Sequence, residues 1–456
     1  MGNAMAMAAF EQGTDLTKTR QCSFGKQCLS IVSGGLLLIG STLYPADSYG
    51  ELKAISDEEM SDITGQAFIS IDQNSHPTQS DISYTRVNLG MKIDTMMVAE
   101  EMELGKYHRW ENHPTDPSLN GKACYTCDGS EAGLESTGAD IHATNFSLGY
   151  IHSNDYTNKY KSVPMVAKGF DSRGRPINYS EGEVVPFQIN DPFLEFAFDD
   201  ATNEMIGVRI GFGDSKGILS GNILSLSGAV EVDIRDDVDG LSAARQKQDG
   251  NILEEALTLL TPLLVADGEL SAQAILVDEN GEADPVRSQY IGMQNGTEFT
   301  IEGADFLAAG VVPLLSDANL IGSASRSEQV SSSGCGLFGL FACYNIYIQS
   351  DDCVMLGIPT CFPLTNFQSM PVGKVEEING RQYITDTASG LFLSFQTRDM
   401  EWSTDSSATA MSNFVSATSG AFLNLPTGAV KVNLHEVYEG IHGVRREYID
   451  RGVGLF

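Results

Sequence analysis

Six cysteines stand beyond residue 50, at Cys124, Cys127, Cys335, Cys343, Cys353 and Cys361. Cys124 and Cys127 flank Tyr125-Thr126 inside a Gly-Lys-Ala-Cys-Tyr-Thr-Cys-Asp-Gly stretch. A Cys-x-x-Cys pair does redox work where it opens a helix behind a strand, because the helix terminus lowers a thiol pKa. Here the exit through Asp128-Gly129-Ser130 reads as a turn, so the pair is expected to close a local disulfide. The other four are separated by 8, 10 and 8 residues, without the short paired spacing of a structural zinc site. Two bridges are expected among them, with three connectivities that spacing does not separate.

Oxygen-rich loops offer a second chemistry. Asp278, Asn280, Glu282 and Asp284 alternate, so several oxygens can converge on one cation, and outside the cytoplasm calcium is the ion such a set takes. A second acidic turn carries Asp233, Asp236, Asp237 and Asp239 before Gly240. Neither matches the twelve-residue calcium loop with its bidentate glutamate at the last position, and in so acidic a chain a solvated turn is the commoner outcome. The histidines His76, His108, His113, His142, His152, His435 and His442 show no recognised metal spacing. His142 and His152 lie in or beside strands and can meet across a hairpin, although solvent-facing sheet residues are the more frequent result. No phosphate loop with a following lysine and no His-Glu-x-x-His site occurs, and no serine is read as a nucleophile elbow. No catalytic residue and no organic cofactor is therefore expected, and the chain is not read as an enzyme.

The beginning of the chain points to export. Lys18, Arg20 and Lys26 lead into the apolar run Cys28–Gly40, and Ser48-Tyr49-Gly50 puts small residues where a signal peptidase inspects them. At about thirteen residues the run is short for a bilayer span of roughly 20, so residues 1–50 are expected to be a signal peptide. Cys28 opens the run rather than closing it, which argues against a lipid anchor. The whole chain carries 61 carboxylates against 28 basic groups, a formal charge of -33. Such a surface repels nucleic acid and anionic headgroups, and an exported location permits disulfides.

The elements that must position these groups are mostly strands. Residues 51–66 read as a short helix, with Ser56 and Glu59 forming a capping box and Gly65 a C-cap. Beyond it, Ser83–Asp94, Asp140–Ile151, Phe193–Phe198 and Ile206–Phe212 alternate apolar with polar or small residues, so one face of each is expected to be wet. Gly217–Ile234 mixes small and apolar residues without helical spacing. The expected class is mainly β, a β-solenoid-like or large β-sandwich architecture with a few short helices. The reading divides residues 67–245 as a β-rich domain, 246–330 as a mixed segment with helices at Asn251–Leu264 and Gly303–Gly310, and 331–456 as a disulfide-containing β-rich region. Ser323–Ser333 reads as a loop, and Pro426-Thr427-Gly428 as a turn between two strands. The terminal Phe456 resembles the end of an outer-membrane barrel, but short irregular strands and only two tryptophans do not supply the aromatic girdles.

At Leu52–Ala67 the sequence resembles a group of exported Gram-negative proteins whose mature chains open on Met-Ser-x-Val-Thr-Gly-Gln-Ala before a β-rich body. Here Ile63 takes the valine position. Some members are called pilus-system or filament-associated proteins. The resemblance covers that segment alone, carries no catalytic residue, and implies a surface or periplasmic location with pilus or other surface subunits as partners, self-association included. Taken with the sequence, it sets the expectation of a structural or adhesive component of the cell surface. The competing expectation is an envelope protein binding a hydrophobic or carbohydrate ligand, for which Phe187, Phe193, Phe196, Phe198 and Phe212 would have to line a groove rather than turn to the core.

Overall fold

From Ile69 onward short alternating runs become strands, because β-branched and aromatic side chains suit a pleated, half-buried surface. The computed structural model describes residues 69–134, 138–161, 163–236, 270–304, 306–317, 324–335, 341–355, 358–405, 413–425 and 430–446. The expected signal peptide, the 51–66 helix, the helix at Asn251–Leu264, the Pro426–Gly428 turn and the terminal Tyr448–Phe456 segment lie outside them. Among the described residues the architecture is mainly β with a few short helices, as expected.

Seven strands make the first sheet, in the order Ile69–Ser75, Ile82–Leu89, Phe193–Asp199, Glu204–Gly211, Phe392–Gln396, Gly420–Asn424 and Gly228–Ala229. All neighbours are antiparallel except the last pair. The second sheet runs Lys92–Thr95, Phe187–Asn190, Asp214–Leu226, Gly138–Leu148, Met97–Arg109 and Ala123–Cys124, with Ser369–Val372 also paired to Asp214–Leu226. The third has Ser325–Cys335, Phe341–Gln349, Glu298–Ala304, Leu270–Val277, Val232–Asp236 and Val430–Asn433, joined through Tyr290–Gly292 to Cys361–Pro363. This sheet draws strands from both sides of residues 245 and 330.

One large apolar cluster gathers Ile141 and Ile223 of the second sheet, Val232, Ile301 and Ile346 of the third, and Ala421 of the first. A smaller cluster lies under the first sheet, where Ile82, Tyr84, Ala197 and Phe422 pack on Trp402. Trp402 belongs to a hairpin of Met400–Ser403 with Phe414–Ala417 that closes over this face.

Two local expectations give way. The helix near 303–310 runs instead over Phe306–Asp317, because Glu298–Ala304 continues the third sheet. The expected loop at Ser323–Ser333 is largely the strand Ser325–Cys335. It lies at the edge of its sheet and its described side chains are mostly exposed, so it needs no apolar alternation to be a strand.

Cys124 bridges Cys127 with Cα atoms 5.5 Å apart, as the spacing predicts. Among the later four, Cys353 bridges Cys361 at 5.1 Å, and Cys343 is also disulfide-bonded.

Candidate functional site

Charge sits inside the first sheet. Along one row its strands place Asp72 opposite Arg86, Arg86 opposite Glu195, and Glu195 opposite Arg209. The last three are each 1% exposed. Alternation puts them on the face beneath Trp402, and opposite charges on adjacent strands attract across the ladder. Arg86 Nε donates to Glu195 Oε1 at 2.8 Å, and Arg209 Nε to Oε2 at 2.6 Å. Arg209 also donates to the Ser403 carbonyl at 2.5 Å, tying the hairpin down. Its guanidinium lies 5.0 Å from the ring centres of Phe392 and Trp402, while Arg86 lies 4.1 Å from that of Phe193. Burial pushes the Arg209 pKa down to about 10.

A second ionic group joins the first sheet to the second. Asp140 is fully buried and takes Arg109 Nε at 2.9 Å and Arg287 Nε at 3.0 Å on one oxygen. Its other oxygen accepts the Ala421 N–H at 2.8 Å and the Tyr107 hydroxyl. Burial, reinforced by the Asp140 charge, raises the Tyr107 pKa well above the usual phenol range. Gly420 makes the approach possible: at φ +108° a Cβ there would run into the Tyr107 hydroxyl.

The opposite face of the first sheet reverses the usual partition. Ile71, Val87, Leu194, Ile210, Leu393 and Leu423 stand opposite one another on successive strands. Leu393 and Leu423 pack on the large core, whereas Ile71 is 65% exposed and Ile210 42%. Where the covered and open parts meet, Met205, Val208 and Phe395 of this sheet and Tyr107 and Tyr125 line a cavity of about 240 Å3. The phenylalanines divide accordingly: Phe187 and Phe193 are buried, while Phe196 and Phe198 lie half-exposed on the open face.

The expected calcium residues form a tight turn. Asp278 Oδ1 accepts the backbone N–H of Asn280 at 2.8 Å and of Glu282 at 2.9 Å, and the Glu282 bond leads the causes that hold its pKa below the usual carboxylate range. Glu282 accepts the Asn295 amide at 2.9 Å, and Asp284 accepts the Val286 N–H at 3.2 Å while burial raises its pKa. Of the other acidic set, Asp233 and Asp236 lie in the strand Val232–Asp236, where Asp236 accepts from the His435 backbone N–H at 2.9 Å, while Asp237 and Asp239 lie outside the described residues.

A different group has metal-ligating geometry. Glu101 and Glu103 on Met97–Arg109 and His142 on Gly138–Leu148 hold ligand atoms within 4.8 Å of one another, an arrangement able to take a divalent cation. Glu103 also binds Lys106 Nζ at 2.9 Å. His142 faces Glu101 at 3.2 Å rather than His152, which is buried beside Asn154. The sequence reading singled out His142 but neither acid; the Glu103–His142 register is what brings them together.

Comparison with known protein families, with curated proteins and with solved structures gives no match. No described helix is long and apolar enough to cross a membrane.

Proposed function

We propose that the chain is an exported structural or adhesive component of the bacterial cell surface, built into or accompanying a filament such as a pilus. The observation that carries this reading is the Ile69–Ser75 strand. It ends the first sheet, pairing with Ile82–Leu89. A strand that ends a sheet is where another chain's backbone can add, and here the exposed Ile71 stands at the end of an apolar row. Backbone pairing supplies affinity and the exposed side chains supply selectivity, so other surface subunits or further copies of this chain are the partners. The disulfides suit an oxidising location. Antiparallel pairing between most strands favours layered sheets over the parallel stacking of a solenoid.

Shearing intact cells and following the chain by immunoblot and immunogold microscopy tests the reading. Label along filaments or at their tips is expected. A monomer confined to the soluble periplasmic fraction would overturn it. The second reading, an envelope protein binding a hydrophobic or carbohydrate ligand, draws its support from the cavity beside Tyr125, whose wall favours the hydrophobic alternative.

A further inference from the structure

The cavity of about 240 Å3 has a mostly apolar wall. Its polar side chains already have partners within the protein. Tyr107 donates its hydroxyl to Asp140, and Tyr125 donates to the Gln396 carbonyl at 2.7 Å. The Gln396 amide donates to the Thr418 carbonyl and accepts from Trp402 Nε1 at 3.2 Å, while Thr397 donates its hydroxyl to the Ile206 carbonyl at 3.2 Å. Among the described residues no charged side chain lines the space, in a chain whose formal charge is -33. An anion would be repelled by the molecule, and the Arg109 and Arg287 guanidiniums near the Tyr107 ring are already bound to Asp140, so the wall offers an ion no bare partner. The complementary occupant is therefore uncharged and apolar.

Size and shape narrow it further. An enclosed apolar cavity of about 150 Å3 accommodates benzene; this space is open on one side, so its volume is an upper bound that admits one or two fused rings. Tyr107 and Tyr125 meet edge to face with centres 4.9 Å apart, and Phe395 and Met205 complete a set of residues that favour an aromatic guest. Tyr125 is fixed twice, through its hydroxyl bond to Gln396 and by its place between the bridged Cys124 and Cys127. We propose that this cavity binds an uncharged aromatic molecule of one or two rings, and that the Cys124–Cys127 disulfide is the clip holding Tyr125 as its wall. The inference rests on the ligand-binding reading and is independent of the appendage reading.

Fluorescence titration of the full chain with 1-aminonaphthalene, an uncharged two-ring probe near neutral pH, tests it. Saturable binding of one probe per chain is expected. Tyr125→Ala and the Cys124→Ser/Cys127→Ser pair should weaken binding about tenfold, Val208→Trp should abolish it by filling the space, and Phe170→Ser, exposed on a separate two-stranded sheet, should leave it unchanged. Circular dichroism reports folding of each variant; should Tyr125→Ala fail to fold, Val208→Trp and the wild-type stoichiometry still decide. Absence of saturable binding overturns the inference, as does binding indifferent to Val208→Trp. A parallel titration with 1-decanol by calorimetry separates the two levels: saturable decanol binding without aminonaphthalene binding retains a hydrophobic ligand but rejects the aromatic site.

Discussion

The two faces of the first sheet invert the ordinary distribution of charge and hydrocarbon. Beneath Trp402, the face carrying Arg86, Glu195 and Arg209 is dry and ionic. The face carrying Ile71, Leu194 and Ile210 is apolar and open. An ionic interior contributes little net stability, since desolvation offsets much of the attraction, but a one-residue slip of any strand would carry a charge to the wrong face. The buried row therefore specifies register, and the exposed row is left free to meet something else.

The strongest way to break this contrast is Glu195→Ala, which strands two buried guanidiniums. A loss of about 3–5 kcal/mol is expected in urea denaturation, whereas replacing Arg86, Glu195 and Arg209 together by apolar residues of similar volume should cost far less. Equal losses in the two variants would deny the buried row its role in register. Tyr107→Phe removes one donor to the fully buried Asp140 and should cost about 1–3 kcal/mol by the same measurement. On the open face, Leu194→Ser with Ile210→Ser should change stability by about 0.5 kcal/mol or less while reducing self-association seen by light scattering or retention on sheared filaments. If stability falls by several kcal/mol instead, that face is covered in the native protein.

The smallest effect is expected where charge is exposed. Asp278 has its folded pKa lowered, chiefly by the Glu282 N–H, so its contribution is present above the unfolded carboxylate pKa of about 3.9 and is lost as pH falls through the folded value. Asp278→Asn should therefore change the melting temperature slightly at neutral pH and converge with wild type in acid. A difference that grew toward low pH would reverse the assigned sign.

Alternation made the strands legible but misassigned their faces. In Ile82-Ser-Tyr-Thr-Arg-Val-Asn-Leu89 the period of two is plain, yet Arg86 shares the buried side with Ile82 and Tyr84, and Val87 is on the open one. Nothing local shows that Glu195, 109 positions away, supplies the counter-charge. The Cys124–Cys127 bridge was readable because it closes within one turn; Cys353–Cys361 became distinct only when the strands fixed which cysteines approach. The Asp278–Asp284 loop was visible as a turn rich in oxygens, but the direction of those oxygens depends on backbone N–H groups that composition does not reveal. The cavity left no local signal, since Tyr107, Tyr125, Met205 and Phe395 come from separate stretches of the chain.

The join at Asp140 also sets a timetable. Tyr107 meets the Ala421 N–H 314 positions later, and Arg209 meets Ser403 after 194. With a ribosome adding about 5–20 residues per second, roughly 15 to 60 s separate synthesis of Tyr107 from that of its partner at Ala421. During that interval the first sheet lacks its fifth and sixth strands, and the nascent chain cannot lock. The joint at Asp140 closes only by pairing across most of the chain, the kind of non-local contact that forms slowly.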